Sequence, residues 1–397
     1  MPVSLYPSGY SRRSFLRLSG LAATIPLVSE GHLARAALQA MNGGPVGGTS
    51  LSKATPVMIN ANENPLGPCD AALAAVATSA KTGGRYDANG EADRLRLNLA
   101  EKWKLPADHV LIYAGSSQPL HYAVLAFTSP SAPYVTADPT YEAGTWAAQV
   151  SGAPILKIPL TPGYAHDLRA MVTASPKAGL LYICNPNNPT GTLTPHDEIV
   201  WAEQNKPKNA VLLIDEAYIH YHGKPSCMDL VQQARDVIVL RTFSKIYGMA
   251  GIRCGAAVGR PDLLKKLQRY GMNPMPVTAA AAANASLATA NLVADRRKIN
   301  ADIRSATFAW LDANGWRYTP SVSNCFMVDT TQPGRQVIEA MRAQNVYIGR
   351  TWPVWPNHVR ITVGTAEEMA KFQTAFATVM ANLNGPNKNR PSVQAAG

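Results

Sequence analysis

Short apolar runs alternate with helix-length segments along residues 85–270, and this alternation restricts the fold more than any other feature of the chain. In chain order the runs are Val110–Tyr113, Tyr134–Thr136, Leu180–Cys184, Val211–Ile214, Val237–Leu240 and Ala256–Val258. Short strands separated by helices favour a mainly parallel sheet covered by helices. We therefore predict an α/β protein with a mixed, mainly parallel sheet between helices in a large domain.

Several of these runs end in a polar or glycine-rich turn, at residues 114–117, 185–186, 215–216 and 242–245. In an open α/β sheet, ligands bind at the carboxyl ends of the strands. We therefore expect these turns to converge on one site.

The pattern changes near residue 280. A long Ala-rich helix is expected over Ala280–Ala313, followed by strands at Cys325–Val328, Val346–Ile348 and His358–Val363 and helices at Gly334–Ala343 and Thr365–Leu383. This pattern is typical of a second, smaller α/β domain. Active sites often lie between two such domains.

The predicted domain limits follow from these changes in pattern. They are a leader (1–36), a flexible Gly-rich linker (37–55), an N-terminal arm of the small domain (56–84), the large domain (85–280), the small C-terminal domain (281–384) and a disordered tail (385–397).

The leader carries the paired arginines Arg12 and Arg13, then Phe15 and Leu16, an apolar stretch to Val28 and the small-residue site 34–36. This arrangement resembles a bacterial twin-arginine export signal. It implies export by the twin-arginine machinery and a periplasmic location. The alternative is a chance arginine pair before an amphipathic helix.

Composition excludes some classes of function. The net charge of +11 comes from scattered bases without an aromatic-basic patch, which argues against nucleic-acid binding and favours anionic small molecules. No uninterrupted apolar stretch reaches the length of a membrane span, so a multi-pass membrane protein is excluded. The five cysteines are widely spaced, and His220 and His222 have no third metal ligand nearby in sequence, so no metal site is expected.

Lys245 directly follows an apolar strand, in the segment Arg241-Thr-Phe-Ser-Lys. A lysine at a strand end is usually a solvated surface residue. A partly desolvated lysine can instead form a Schiff base with a carbonyl, because burial lowers the pKa of its amine. The choice between these interpretations depends on the neighbouring motifs.

Asp215 ends another apolar run, where an unpaired charge is costly. It could cap the next helix. It could also pair with the pyridinium nitrogen of pyridoxal 5′-phosphate (PLP), keeping that ring protonated as an electron sink. Asn188 lies in the turn-rich segment 185–191, where its amide could reach the phenolic oxygen of PLP.

The motifs AGSSQ, DPTY, NPNNPTG, DEAY, TFSKIYGMAGIR and VRITVG occur in this order, and NENPLGP and Arg85-Tyr86 precede them. Over about residues 57–380 the chain resembles the fold-type-I PLP enzymes, and within them the histidinol-phosphate aminotransferase group. The resemblance implies a PLP-dependent aminotransferase that moves an amino group from an amino acid to a 2-keto acid through a Lys245 Schiff base and pyridoxamine phosphate.

The resemblance also implies residue roles. Lys245 would be catalytic, carrying the cofactor and moving the proton between the substrate Cα and the cofactor. The cofactor would be bound by Gly115, Ser116, Ser117, Tyr141, Asn188, Asp215, Tyr218, Thr242, Ser244 and Arg253, and by Tyr86 from the neighbouring subunit of a homodimer. Asn64, Arg350 and Arg360 would bind substrate, and an arginine fork suits a carboxylate.

Some residues depart from the family pattern. The phosphate turn reads Gly-Ser-Ser-Gln where many relatives have an acidic pair, and His220 stands where a glutamate is common. The segment 350–356, with Trp352 and Trp355, either shapes a pocket for an apolar or aromatic side chain or packs in the core. These departures and the leader argue against a role in histidine biosynthesis.

Other functions remain open at this point. The same lysine supports PLP-dependent lyase, decarboxylase or oxidase chemistry, and a catalytically inactive binding protein could keep the fold. A nicotinamide-dependent oxidoreductase is disfavoured, because no Gly-x-Gly-x-x-Gly turn follows an early strand.

Overall fold

A computed structural model describes residues 55–87, 89–223, 225–271 and 275–383. The leader, all of the linker except Thr55 and the tail lie outside these residues.

The strands are β1 (Val57–Ile59), β2 (Val110–Tyr113), β3 (Tyr134–Asp138), β4 (Ile155–Pro159), β5 (Leu180–Cys184), β6 (Val211–Asp215), β7 (Val237–Thr242), β8 (Gly255–Gly259), β9 (Arg317–Tyr318), β10 (Cys325–Asp329), β11 (Val346–Ile348) and β12 (His358–Thr362). The α-helices are α1 (Asp70–Ala80), α2 (Glu91–Lys102), α3 (Ser117–Phe127), α4 (Ala143–Ser151), α5 (Leu168–Thr173), α6 (His196–Asn205), α7 (Met228–Gln232), α8 (Pro261–Gln268), α9 (Val277–Ala288), α10 (Leu292–Ala313), α11 (Gly334–Ala343) and α12 (Ala366–Asn382). Short 3₁₀ helices span Ala107–His109 and Ile219–Tyr221.

Seven strands form the large sheet, in the order β2-β8-β7-β6-β5-β3-β4. Neighbouring strands are parallel except at β8, which runs antiparallel to both β2 and β7. The register places Cys184 opposite Asp215 and Asp215 opposite Leu240, so β5, β6 and β7 end at the same edge. This mixed, mainly parallel sheet confirms the predicted fold class.

Helices cover both faces of the large sheet. Strand β6 shows this clearly, because Leu212 and Ile214 belong to one apolar cluster while Val211 and Leu213 belong to the cluster on the opposite face. A strand buried on both faces is continuously apolar rather than alternating, which explains the run that precedes Asp215. The position of strand β6 is therefore set by packing on both of its faces.

Two smaller sheets lie near the C-terminal part of the chain. One is antiparallel, in the order β12-β10-β9, and the other pairs β1 with β11 in parallel. Val57 lies opposite Val346, so the segment that precedes the large sheet packs with C-terminal elements. The domain limits stay a prediction.

The single helix expected over Ala280–Ala313 is wrong. Helices α9 and α10 replace it and meet at a bend of 84°. Asn291 has a φ of 57°, and asparagine tolerates this left-handed conformation better than most residues. No single helix in the described part of the chain is long and apolar enough to cross a membrane. Taken together, α9 and α10 meet the requirements of length and composition for a membrane span, but no more than these.

Strands β1, β4 and β9 were not predicted from the sequence. Strand β4 lies at the edge of the large sheet, and none of its five residues is fully buried. An edge strand need not be apolar, so its sequence carries a weak signal. Strand β9 has only two residues, too few for a pattern, whereas β1 has three residues, the same length as the correctly predicted β11, and was missed.

Candidate active site

The polar turns predicted to converge do lie at one edge of the large sheet. Asp215 ends β6, the turn with Asn188 follows β5, and Lys245 follows β7. The turn at Gly115 follows β2 and touches the start of β8, because an added Cβ at Gly255 would lie 2.7 Å from the Gly115 carbonyl carbon. The site is thus assembled from four strand ends.

The Lys245 amine lies in the interior of this site. Its Nζ donates a hydrogen bond to the Asn62 carbonyl oxygen at 2.9 Å and lies 5.4 Å from the centre of the Tyr218 ring. Burial, and next the charge of Arg360, lower the pKa of Lys245 to about 8. An amine with this pKa is partly neutral near pH 7, as attack on a carbonyl requires.

The Asp215 carboxylate is buried and is held by neutral donors. Tyr182 Oη donates to Oδ2 at 3.0 Å, and the backbone N–H of Ala217 donates to Oδ1 at 3.1 Å. Burial raises the pKa of Asp215 to about 6. The carboxylate is therefore placed where a cationic ligand group would offset its desolvation cost.

Asn62 links the polar side chains next to Lys245. Its Nδ2 donates to Tyr218 Oη at 3.1 Å and to Asn188 Oδ1 at 3.4 Å, and its Oδ1 accepts from Thr362 Oγ1 at 3.1 Å. Its φ is 55°, in the left-handed region. Sequence reasoning missed Asn62, although it belongs to the NENPLGP motif, because a polar residue in a loop gives no chemical signal of its own.

Arg253 and the turn at Gly115 form a compact anion site. Gly115 has a φ of 93°, and an added Cβ would lie 2.1 Å from Arg253 Nη2, so the guanidinium occupies the space above this glycine. Arg253 Nη1 also donates to Ser244 Oγ at 3.3 Å.

Nearby hydroxyls complete this anion site. Thr242 Oγ1 donates to Ser244 Oγ at 2.9 Å, and helix α3 begins at Ser117, with Ser116 at its N-cap. Backbone N–H groups at a helix start favour anions, and an arginine fork matches a phosphate. These groups fit a phosphate monoester.

Tyr141 and Tyr86 lie in contrasting surroundings. Tyr141 Oη lies 3.5 Å from Ser117 Oγ, and burial raises the pKa of Tyr141, which places this ring beside the anion site. Tyr86 is 92% exposed and belongs to no apolar cluster of the described chain.

The predicted substrate arginines lie on the side of the site formed by the C-terminal elements. Arg360 is buried, donates to Asn188 Oδ1 at 3.0 Å and to the Asn60 carbonyl oxygen, and leaves its Nε without a partner. Burial lowers the pKa of Arg360. Arg350 forms an ion pair with Glu142.

Asn64 is occupied by backbone contacts. Its Nδ2 donates to the Ile246 carbonyl oxygen at 3.0 Å, and its Oδ1 accepts from the Leu66 N–H at 3.0 Å. Its side chain thus fastens the N-terminal loop to the segment after Lys245, and the predicted contact with substrate stays a prediction.

The structure also shows the surroundings of Trp352 and of His220. Trp352 is 1% exposed and donates from Nε1 to the Thr140 carbonyl oxygen at 3.1 Å, so it packs in the interior. His220 lies in a 3₁₀ helix and its Nε2 contacts Arg241, which is paired with Glu216. Over the described ranges, no three His, Cys, Asp or Glu side chains form a group suited to a metal ion.

Comparison with known proteins places this site in a family. The family described as "Aminotransferase class I and II" matches residues 55–376. The chain belongs to the class I and II aminotransferases. It is a PLP-dependent transaminase, and its predicted aminotransferase activity and PLP cofactor are confirmed.

Three relatives show how this aminotransferase compares with others. It is 35% identical over 329 residues to a histidinol-phosphate aminotransferase of Symbiobacterium thermophilum, covering 82% of this chain and 90% of the relative. It is 31% identical over 318 residues to an aromatic amino acid aminotransferase of Cutibacterium acnes, covering 79% and 89%. A structure of histidinol-phosphate aminotransferase from Sinorhizobium meliloti in complex with pyridoxal-5′-phosphate aligns with a TM-score of 0.76 at 25% identity, covering 95% of this chain and 99% of that one.

The residues of this aminotransferase fit PLP at three points. The buried carboxylate of Asp215 lies among neutral donors, Arg253 lies against the Gly115 turn, and the Lys245 amine faces the same space with a lowered pKa. These groups match the ring nitrogen, the phosphate and the carbonyl carbon of the cofactor. When bound, PLP supplies a carbonyl for the amino group and an electron-withdrawing ring.

Proposed function

We propose that the protein is an exported, homodimeric transaminase in which Lys245 carries PLP and Arg360 binds the α-carboxylate of an amino acid. The observation that supports it most is the position of the Lys245 amine, which is partly buried and lies near the carboxylate at the end of a neighbouring strand.

The polar side chains around Lys245 suit the three polar groups of the cofactor. Asp215 would hold the ring nitrogen protonated. Asn188 and Tyr218 would hydrogen-bond the phenolic oxygen, and Asn62, which donates to both side chains, would hold them in place. Gly115, Ser116, Ser117, Thr242, Ser244 and Arg253 would bind the phosphate, and Tyr141 would pack on the ring.

Lys245 Nζ would take the proton from the substrate Cα and deliver it to the cofactor carbon that is bonded to the amino nitrogen, so that it alternates between neutral and protonated forms. The lowered pKa of Lys245 supports this role, since an amine of pKa about 8 both accepts and releases a proton near neutral pH. Arg360 lies in hydrogen-bond contact with Asn188, and a carboxylate held there would fix the direction of the Cα–H bond.

Product analysis tests this reaction. With one amino acid and one 2-keto acid, we expect each new keto acid to be matched by one new amino acid, without free ammonia. Release of ammonia without consumption of the keto acceptor would instead support the lyase alternative, and the control is the Lys245→Ala variant, for which neither product is expected.

The homodimer is proposed because Tyr86 is 92% exposed although the resemblance assigns it to cofactor binding in a neighbouring subunit. The test mixes two inactive variants, Tyr86→Ala and Lys245→Ala, under conditions that exchange subunits. A mixed dimer contains one site with both native residues, so activity should return to about a quarter of the wild-type value under random exchange. Absence of recovery, with exchange verified, would contradict the sharing of Tyr86.

Export is proposed from the sequence of the leader, in which the paired arginines, Phe15 and Leu16, an apolar stretch and a small-residue site follow one another; the leader lies outside the described residues. In a bacterial host with a twin-arginine system, we expect the full-length chain to reach the periplasm. We expect the Arg12→Lys, Arg13→Lys double variant to stay in the cytoplasm, with Arg17→Lys as the matched control. Equal periplasmic amounts for all three chains would contradict the proposal.

A further inference from the structure

Arg350 has a counter-ion within the chain. Its guanidinium forms an ion pair with the carboxylate of Glu142, and each of these two side chains is 21% exposed. Glu142 directly follows Tyr141, the residue placed beside the cofactor. The positive charge of Arg350 is therefore balanced next to the site before any substrate arrives.

Trp352 fixes the position of this ion pair. The centre of its ring lies 4.0 Å from Arg350 Cζ and 5.7 Å from Arg360 Cζ, so the indole packs against both guanidinium groups. Its Nε1 donates to the carbonyl oxygen of Thr140, two residues before Glu142. The ring thus ties the loop of Glu142 to both arginines, and it is buried too deeply to stack on a substrate itself.

The two arginines consequently differ in what they offer a ligand. Arg360 has a buried guanidinium with no carboxylate partner within salt-bridge distance in the described chain, and its Nε lacks a hydrogen-bond acceptor. Arg350 has its charge matched by Glu142, and its side chain is 21% exposed. A guanidinium plane stacks well on aromatic rings, whereas a second anion at Arg350 would meet Glu142 as a like charge.

We propose that Glu142 is a specificity-determining residue: by neutralising Arg350 it selects amino acids with uncharged, planar side chains and disfavours side chains that carry a carboxylate or phosphate. This inference rests on the proposed function, in which Arg360 receives the α-carboxylate. The side chain of the substrate then points toward the Glu142–Arg350 pair, and an aromatic ring packs on the guanidinium of Arg350.

The test measures kcat/KM for phenylalanine, glutamate and glutamine with one common keto acceptor. Glutamate and glutamine have nearly the same shape and differ in charge, so their ratio isolates electrostatics from size. We expect the wild type to prefer phenylalanine and to favour glutamine over glutamate. Glu142→Gln should raise the glutamate-to-glutamine ratio by at least about tenfold, because it removes the like charge and leaves the cation of Arg350 free.

Two further variants give matched controls. Glu198→Gln makes the same chemical change in an exposed ion pair with Arg169 and should leave the ratio at the wild-type value. Glu142→Asp keeps the charge and should also keep that ratio, which separates the loss of charge from a general disturbance of the loop. Binding of PLP by each variant, followed by absorbance, shows that the site has folded.

The outcomes distinguish the inference from the proposed function. A glutamate-to-glutamine ratio in Glu142→Gln within twofold of that in Glu198→Gln, or a wild type that prefers glutamate, would overturn the inference while leaving the transaminase intact. Complete inactivity of the PLP-loaded wild type toward all three amino acids would count against the proposed function itself.

Discussion

Gly115 gives the sharpest test of the proposed phosphate site. An alanine at this position would place its Cβ 2.1 Å from Arg253 Nη2 and 2.8 Å from Arg253 Cζ, so the guanidinium must move. The φ of 93° is also unfavourable for any residue with a Cβ. We therefore expect Gly115→Ala to displace Arg253 from the phosphate of the cofactor.

The size of the effect follows from the lost contacts. A hydrogen bond to a charged group contributes roughly 1.5–3 kcal/mol, which corresponds to a factor of about 10–150 in a dissociation constant. Titration of the apo-protein with PLP, followed by absorbance, should show an increase of this order for Gly115→Ala.

Gly84→Ala is the matched control, because an added Cβ at Gly84 meets no atom within 4 Å and its φ lies outside the left-handed range. Its PLP affinity should equal that of the wild type. If Gly115→Ala bound PLP within twofold of Gly84→Ala, Arg253 would not be the phosphate ligand inferred here.

Three further predictions test the remaining parts of the site. Asn62→Gly keeps a backbone suited to the φ of 55° and removes the side-chain hydrogen bonds to Tyr218 and Asn188. Steady-state kinetics should show kcat lowered by roughly tenfold or more, and circular dichroism should show that the variant is folded. Asp215→Asn should be less active than the wild type, yet its apo-form should have a higher Tm at pH 7.5. The raised pKa of Asp215 means that the stability contributed by its protonated form is lost as pH rises through about 6, and calorimetry from pH 4 to 8 should show this loss in the wild-type apo-protein and not in the variant. The rate at which the apo-protein binds PLP, followed by stopped-flow absorbance, should rise with pH as the Lys245 amine loses its proton, and the midpoint of this rise should lie near pH 8. In Arg360→Leu the midpoint should lie at higher pH, because the charge of Arg360 helps to lower the pKa of Lys245.

The sequence predicted the large sheet well, for a physical reason. Strands β2 and β5 match their predicted bounds, and β6 and β7 extend only slightly beyond theirs. Strands β5, β6 and β7 are buried along their whole length, and strands buried on both faces must be continuously apolar. Strand β2 lies at an edge and is only partly buried, but its four residues still form an apolar run. Strand β4 was missed because an edge strand is partly exposed, and the break between α9 and α10 was missed because Asn291 is one polar residue in an otherwise helical pattern.

The candidate site was predictable where a residue's chemistry conflicts with its surroundings. Lys245 and Asp215 stand out because a charge at the end of an apolar strand is costly unless it has a function. Asn62, Glu142 and Tyr182 act through contacts with residues far away in sequence: Asn62 with Tyr218, Glu142 with Arg350 and Tyr182 with Asp215. Such pairings depend on how the loops pack, and a single sequence does not record them.

The absorbance spectrum of the purified protein during a half-reaction tests most directly whether Lys245 carries PLP for transamination. The wild type should show the absorbance of lysine-bound PLP, lose it when an amino donor converts the cofactor to pyridoxamine phosphate, and regain it when a 2-keto acid is added. Lys245→Ala should lack the band of the lysine-bound form. A wild type that shows no such band after PLP is supplied, or a Lys245→Ala variant that completes the same cycle at the wild-type rate, would contradict the assignment.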